Sequence, residues 1–189
     1  VKAILNNTDL DYVIKLRNWD YGYNRALSKR NHGIFCTTYT ESRAPRFKWV
    51  GPLTRNLWTI FAPAGTNLQI DKLEDARGLR FGGYRNDVMT EYLLERGYEV
   101  STLDSDDLNP KRLELGQIDL WIADRLAGPY FASQQNVEGL DPVYSFNDTE
   151  LFLAINLDTP DATVEKLNAG LRKVHETGMF EAIETKYGL

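Results

Sequence analysis

The sequence predicts an α/β protein with two lobes and a cleft between them. Three observations support this prediction. Short β-rich segments alternate with amphipathic helical segments from about residue 65 to 145. This middle block can close as its own α/β unit, and the segments on either side of it have the pattern of parts of one other unit. Because small ligands commonly bind between lobes, we expect the cleft to be the functional site.

The segment before the middle block is predicted to contain three strands and a helix. Residues 10–16 alternate in polarity and are rich in β-forming side chains, which predicts a strand. Tyr23, Ala26 and Leu27 share one helical face, and Gly33 stops that helix. The predicted elements are, in order, a strand at 10–16, a helix at 19–29, a strand at 33–38 and a strand at 56–62.

The middle block has the regular alternation of a βαβ protein. Gly97 and Gly116 each come directly after a segment with helical periodicity. Glycine is common at the position that ends a helix. Strands alternating with helices imply a mainly parallel sheet with right-handed crossovers. The predicted strands are 79–84, 98–103, 118–123 and 140–146, and the predicted helices are 87–96, 108–115 and 125–135.

The last segment is predicted to return to the first lobe. It contains a strand at 151–155 and helices at 164–177 and 179–186. Strand-like connections near 57–63 and 146–154 are expected to link the two lobes. We therefore assign residues 1–62 and 147–189 to lobe 1 and residues 63–146 to lobe 2.

Composition excludes several functional classes. The chain has 189 residues, 42% of them hydrophobic and 26% charged, as in an ordinary globular protein. Its net charge of −5 disfavours nucleic acid as a partner. A single cysteine, Cys36, allows no internal disulfide, and we expect it to be a small buried apolar group. No metal-binding, phosphate-binding or hydrolase motif occurs, so we expect no cofactor or metal.

Four short motifs follow one another along the chain. They are TESR at 40–43 with FKWVGPL at 47–53, DKLEDARGLRFG at 71–82, LGQIDLWIAD at 115–124, and GMFEAIETKYG at 178–188. In this order and spacing they resemble the periplasmic solute-binding proteins of ABC importers, specifically the polar amino-acid-binding class known as family 3. The resemblance extends over essentially the whole chain. It implies a type II periplasmic-binding fold with a hinge, a periplasmic location and an ABC permease as partner.

The resemblance also implies roles for individual residues. Arg43 corresponds to the arginine that binds the carboxylate of the ligand, and a guanidinium matches a carboxylate in a bidentate fashion. Thr38 lies where the family contacts the same ligand. Asp124 corresponds to the acid that pairs with the amino group. Other readings are open: Asp124 could cap the helix that follows it, and Trp19 could stack on the ligand or pack in the core.

The chain departs from the family pattern at one turn of the second lobe. The family usually has Gly-Ser or Gly-Thr there, whereas this chain has Tyr84, Arg85, Asn86 and Asp87. Asp87 is a good helix cap, but its charge would repel an anionic ligand. Arg85 could compensate for that charge, so both residues remain candidates for ligand binding.

The chain also departs from the family at its beginning. Residues 1–9 correspond to the end of the first helix of the family, so the preceding strand has no counterpart and the first lobe is expected to be incomplete. Unpaired backbone groups and exposed apolar surface are costly. We therefore expect rearrangement, or exchange of elements with a second copy to form a homo-oligomer.

Three functional hypotheses follow from this sequence. The first is a binding protein that captures an amino-acid-like solute and carries out no chemistry. The second is a sensory or degenerate module that does not take part in transport. The third is an enzyme like cyclohexadienyl dehydratase, which would need a general acid from among Glu41, Asp87 and Asp124.

Overall fold

The structure, a computed structural model, describes residues 1–187. The helices are α1 Lys2–Asn6, α2 Trp19–Ser28, α3 Val88–Glu95, α4 Asn109–Glu114, α5 Ala127–Gln134, α6 Asp161–Glu176 and α7 Met179–Tyr187. The strands are β1 Gly33–Thr38, β2 Phe47–Pro63, β3 Phe81–Tyr84, β4 Val100–Leu103, β5 Leu120–Asp124 and β6 Leu140–Asn156. Gly188, which ends the last sequence motif, lies outside the described residues.

The chain divides into two compact units. Unit 1 comprises Val1–Arg17, Tyr21–Arg55 and Glu150–Leu189, and unit 2 comprises Asn18–Asp20 and Asn56–Thr149. The hydrogen-bonded strand order is β1-β6-β2-β5-β3-β4, so the predicted α/β class is confirmed. Trp19, which the sequence assigned to lobe 1, belongs to unit 2.

Unit 2 is built on a sheet with a hydrophobic core on each face. β3 is parallel to both β4 and β5, as the helical crossovers predict. Alternate side chains of β2 point to opposite faces: Trp58 and Ile60 pack with α3, whereas Phe61 packs with Trp121 and Leu113. This arrangement brings the carboxyl ends of β3 and β5 to one edge of the sheet.

The prediction of a mainly parallel sheet holds only for β3, β4 and β5. β2 pairs antiparallel with β5, with Trp58 opposite Asp124, and β1 pairs antiparallel with β6. A helical crossover joins β3 to β4 and β4 to β5, which enforces parallel pairing there. β2 enters the sheet beside β5 instead of beside the next strand in sequence, so this constraint does not act on it.

Unit 1 has its core between the end of β6 and α6. Leu153 and Ile155 pack against Leu167 and Leu171, and Ile4 of α1 joins the same cluster. Buried Asn156 fixes α2 to this core, since its Nδ2 donates to the carbonyl oxygens of Ala26 and Leu27 at 2.8 and 2.9 Å. The amide thereby satisfies carbonyls at the end of α2 that have no partner within the helix.

The strands differ from prediction in length. The predicted strand at 56–62 is the second half of β2, which begins at Phe47. The predicted strands at 140–146 and 151–155 are joined into β6. The linking segments near 57–63 and 146–154 thus lie within long strands. Polar residues at 147–150 suggested a break, but β6 continues through them with Asn147 in a left-handed conformation, φ +49°.

The predicted strand at 10–16 does not form. This segment is extended but pairs with no strand among residues 1–187. Its composition is that of a strand, yet a strand also requires a hydrogen-bonded neighbour. The prediction of a buried Cys36 is also wrong, because this residue is exposed and has a positive φ of 59°.

The helices of residues 1–187 include none that is both long enough and apolar enough to cross a membrane.

Candidate functional site

Unit 1 places Thr38 and Arg43 on either side of a short loop after β1. Thr38 is the last residue of β1 and is buried opposite Leu151 of β6. Arg43 follows five residues later, where its backbone N–H donates to the carbonyl oxygen of Thr40 at 3.0 Å. The same N–H group also donates to the Thr40 hydroxyl Oγ1 at 3.3 Å, so a side chain of the hydroxyl-rich loop helps to hold this turn.

The Arg43 side chain is buried, with only 7% of its surface exposed. Its guanidinium carbon lies 5.5 Å from the centroid of the Tyr23 ring, which in turn meets Phe47 edge-on at 5.3 Å. An aromatic ring at this distance attracts a cation and shields it from water. Electrostatic attraction between such a shielded guanidinium and an anion is stronger than at an exposed surface.

Unit 2 places the other candidates at the carboxyl ends of β3 and β5. Tyr84 ends β3 and Asp124 ends β5. Gly83 lets α3 approach this edge closely, since a Cβ at this position would lie 2.3 Å from Oγ1 of Thr90. In α/β sheets, this edge is where ligands bind.

Asp124 has two carboxylate oxygens in different environments. Oδ1 accepts hydrogen bonds from the N–H groups of Leu126 and Ala127 at 3.0 and 2.9 Å. Oδ2 is buried and has no hydrogen-bond partner among residues 1–187. Burial raises the pKa of Asp124, against the opposing effect of the backbone N–H groups. Asp124 therefore supports the start of α5 and retains one unsatisfied acceptor.

Asp87 acts as the cap of α3. Its Oδ2 accepts from the N–H groups of Met89 and Thr90 at 3.0 and 3.1 Å, and the side chain is buried. Nη2 of Arg85, the residue expected to compensate for this charge, pairs with Oδ1 of Asp104 at 2.9 Å. Both members of that pair are well exposed, so the pair adds little stability.

Trp19 contacts the same turn. Its Nε1 donates to the carbonyl oxygen of Asn86 at 3.2 Å, and the Asn86 side-chain amide donates to Oδ1 of Asp20 at 2.6 Å. Asn86 has a positive φ of 58°, which asparagine tolerates better than most residues. The turn at 84–87 is thus held by side chains of this chain.

We expect alanine at position 87 to destabilise unit 2, because two N–H groups at the start of α3 would lose their acceptor. Asp87→Ala should lower the free energy of unfolding by about 1 kcal/mol, whereas Asp87→Asn, which keeps an acceptor oxygen, should cost a few tenths. Urea denaturation measures both values. An equal loss in the two variants would contradict the capping role.

Sequence reasoning missed three residues of these sites. They are Tyr23, which lies over Arg43, Asn86, which holds Trp19, and Trp58, whose buried Nε1 has no partner among residues 1–187. The Asn-Asp pair after β3 was a signal for a left-handed turn. Tyr23 and Trp58 had none, since aromatic residues on a helix and in a strand most often belong to the core.

No cluster of His, Cys, Asp and Glu residues suited to a metal ion occurs among residues 1–187. The expectation that no cofactor is needed stays a prediction.

The fold resembles that of solved amino-acid-binding proteins. Neither a protein-family model nor a curated protein matches the sequence. A histidine kinase sensor domain with similarity to periplasmic binding proteins matches with a TM-score of 0.90 and 24% identity, over 98% of this chain and 82% of that one. An ancestral arginine-binding protein bound to arginine matches with a TM-score of 0.85 and 20% identity, over 98% and 84%.

A third solved structure bears on the enzyme hypothesis. It is the ancestral amino-acid-binding protein AncCDT-1, a precursor of cyclohexadienyl dehydratase, with a TM-score of 0.81 and 16% identity over 98% of this chain and 81% of that one. At these identities the likeness establishes the fold. The chain therefore has the periplasmic-binding-protein fold that its motifs predicted.

Proposed function

We propose that this chain binds a small amino-acid-like solute and carries out no chemistry. Arg43 receives the carboxylate of the solute and Asp124 receives its amino group. Thr38 contributes a polar group near the carboxylate. The observation that most supports this proposal is Oδ2 of Asp124, a buried acceptor without a hydrogen-bond partner among residues 1–187.

The state of Asp124 favours an ammonium ligand. A buried acceptor left unsatisfied costs roughly 1–3 kcal/mol, and more when it is charged. An ammonium group would satisfy Oδ2, and its positive charge would offset the burial that raises the pKa of this carboxyl. Since Oδ1 is fixed by the N–H groups of Leu126 and Ala127, the carboxylate is held in place before the solute arrives.

The state of Arg43 favours a carboxylate. Two parallel N–H···O bonds fix both the position and the orientation of a carboxylate, which a lysine would not do. The Tyr23 ring covers one side of the guanidinium and limits the directions from which an anion can approach.

The proposal also includes the location of the protein and its partner in transport. We propose a periplasmic location and delivery of the solute to an ABC permease, as the family resemblance implies. Three further residues stay in the proposal as candidates for ligand binding: Trp19, Arg85 and Asp87. We rank them below Arg43 and Asp124 because each already has a hydrogen-bond or ion-pair partner within unit 2.

A thermal-shift screen over the amino acids and small carboxylates tests the proposal. A ligand at a hundredfold excess over its Kd should stabilise the fold by about 2.7 kcal/mol. The best amino acid is then compared with its analogue that has a hydroxyl in place of the amino group. Asp124→Asn keeps the oxygen that supports α5 but removes the charge.

We expect Asp124→Asn to weaken binding of the amino acid about 10- to 100-fold, because a charge-assisted hydrogen bond is lost. Binding of the hydroxy analogue should change little. Asp71→Asn, an exposed aspartate of the same unit, is the matched control and should leave both affinities unchanged. Equal losses for the amino acid and its analogue would refute the role of Asp124.

A second candidate is a sensory module, since the histidine kinase sensor domain is among the most similar structures. No response to any compound of the screen would favour that candidate in its degenerate, non-binding form. Turnover of prephenate would favour the dehydratase-like enzyme instead. Asp124 would then be the general acid, because burial raises its pKa above the ordinary value of an aspartate.

A further inference from the structure

The indole N–H of Trp58 differs from those of the other three tryptophans of the chain. Nε1 of Trp19, Trp49 and Trp121 donates to an oxygen atom of the same unit at 3.2, 3.2 and 2.8 Å. Nε1 of Trp58 is buried and has no hydrogen-bond partner among residues 1–187. A buried donor without a partner is costly and rare in native proteins. This donor is therefore available to an acceptor from outside the chain.

A buried acceptor without a partner lies beside this donor. Asp124 is directly opposite Trp58 in the antiparallel pairing of β2 with β5. Residues in this relation point to the same face of a sheet, with their Cβ atoms roughly 5 Å apart. Oδ2 of Asp124 is unsatisfied in the part of the chain that the structure describes, so it does not accept from Trp58 either. One small molecule can thus reach both groups on the same face of unit 2.

The Trp58 ring is held in place by two other aromatic rings. It meets Tyr92 of α3 edge-on at 5.3 Å and Phe146 of β6 edge-on at 5.9 Å. The side chain is only 4% exposed. Because edge-to-face contacts favour one orientation of the ring, the direction of the indole N–H is fixed before any ligand arrives. A fixed donor binds an acceptor with a smaller loss of entropy.

The neighbouring charge limits the group that Trp58 can bind. An indole N–H only donates, so its partner must have an acceptor atom, which a side-chain ammonium or guanidinium lacks. A side-chain carboxylate of the solute would lie close to the carboxylate of Asp124, and like charges repel strongly in a buried site. A neutral oxygen, of a hydroxyl or an amide group, meets both conditions.

We propose that Nε1 of Trp58 donates to a neutral oxygen on the side chain of the solute, and that the site thereby selects amino acids with a hydroxyl or amide side chain. This role rests on the proposed function, because it requires the ammonium group of the solute on Oδ2 of Asp124. Arg43 and Asp124 bind the groups that all amino acids share, whereas Trp58 distinguishes one side chain from another.

Pairs of amino acids with nearly equal shapes test this selectivity. Threonine has a hydroxyl where valine has a methyl group, and asparagine has an amide where leucine has two methyl groups. In titration calorimetry, we expect the polar member of the tighter-binding pair to have a Kd about tenfold below that of its apolar partner. Trp58→Phe keeps an aromatic ring without the donor. It should remove or reverse this preference, because the polar side chain then loses water without gaining a hydrogen bond.

Trp121→Phe is the matched control for this experiment. It makes the same replacement in the same unit, at a tryptophan whose N–H already has an acceptor in Asp106. We expect this variant to be less stable to urea but to keep the wild-type ratio of the two Kd values. If Trp58→Phe instead weakens both members of a pair equally, the indole contributes packing or a contact to water, and the selective hydrogen bond is refuted.

The wild-type chain provides a second test that does not depend on the folding of a variant. Each of the four tryptophans gives one indole N–H signal in a ¹⁵N-labelled sample, and the signal of Trp58 is assigned through its contacts with the rings of Tyr92 and Phe146. We expect threonine or asparagine to move this signal downfield, because hydrogen bonding deshields the proton. Valine or leucine should leave it in place. An equal response to both members of a pair would overturn the proposal.

Failure of this selectivity is distinct from failure of the proposed function. If amino acids bind and their binding depends on Arg43 and Asp124, but valine and leucine bind as tightly as threonine and asparagine, only the role of Trp58 is excluded. A charged side chain on the tightest ligand would exclude that role as well. If no amino acid binds at all, the proposed function fails, and the role of Trp58 fails with it.

Discussion

Arg43→Ala is expected to weaken solute binding by at least about a hundredfold. Truncating one partner of a buried, hydrogen-bonded charge pair commonly costs 2–5 kcal/mol, and each 1.4 kcal/mol is a factor of ten in Kd. Arg43 meets these conditions if it receives a carboxylate, since its side chain is 7% exposed and lies against the Tyr23 ring. Titration calorimetry with the best amino acid of the screen measures the loss.

Two further variants test whether the loss of affinity is specific to the guanidinium of Arg43. Arg43→Lys keeps the charge but not the planar fork, and we expect it to recover only part of the affinity. Arg46→Ala removes an exposed arginine three residues away and should leave the affinity unchanged. An Arg43→Ala variant that unfolds cooperatively and binds as tightly as the wild type would rule out the proposed role of Arg43.

The stability of unit 2 is expected to fall as pH rises from about 4 to about 7. Asp106 is buried, and its Oδ1 accepts from Nδ2 of Asn109 at 2.7 Å and from Nε1 of Trp121 at 2.8 Å. Burial, with a smaller contribution from the charge of Asp87, raises the pKa of Asp106 from 3.8 to about 7. The folded state therefore holds this proton more tightly than the unfolded chain does.

Ionisation of Asp106 thus destabilises the fold. Each pKa unit corresponds to 1.36 kcal/mol, so the loss amounts to about 3–4 kcal/mol across this pH range. Below the ordinary pKa the carboxyl is protonated in both states and the loss is absent. Urea denaturation of the wild type at a series of pH values measures the slope.

Asp106→Asn should remove most of that slope, because asparagine keeps an acceptor for Trp121 and Asn109 but does not titrate. Asp71→Asn, an exposed aspartate of the same unit, is the matched control and should retain the slope. If the pH dependence of Asp106→Asn equals that of the wild type, the buried carboxyl does not titrate in this range.

Local patterns were enough to predict the βαβ part of the fold. β3, α3, β4 and β5 are each defined by a short apolar run or by a helical face with a glycine after it, and a crossover of limited length leaves few ways to connect them. The lengths of β2 and β6 could not be predicted. Both contain polar residues that occur as often in turns, and only pairing with neighbouring strands keeps them extended.

The segment at residues 10–17 shows the limit of pattern reasoning most clearly. Its sequence is that of a strand, but strand formation depends on a neighbour that the segment itself does not specify. The exposure of Cys36 has a similar origin. Its residue type favours burial, whereas the irregular register between Ile34 and Thr37 turns it outward.

For the candidate site, the sequence identified residues but not their partners. The position of Asp124 at the end of a strand followed from the apolar run before it. The different environments of its two oxygens, with Oδ1 bonded to the start of α5 and Oδ2 unsatisfied, depend on the tertiary structure and could not be predicted from the sequence. Likewise, Asp87 was recognised as a helix cap from its place before α3, whereas the pairing of Arg85 with Asp104 joins residues from different turns.

The outward-facing thiol on β1 makes this protein convenient for optical work. Cys36 is the only cysteine in the sequence, and it lies two residues before Thr38. A maleimide dye would therefore attach at a single point of unit 1, beside a candidate contact of the solute. A change in emission on adding an amino acid would turn the chain into a fluorescent biosensor without any engineered attachment point.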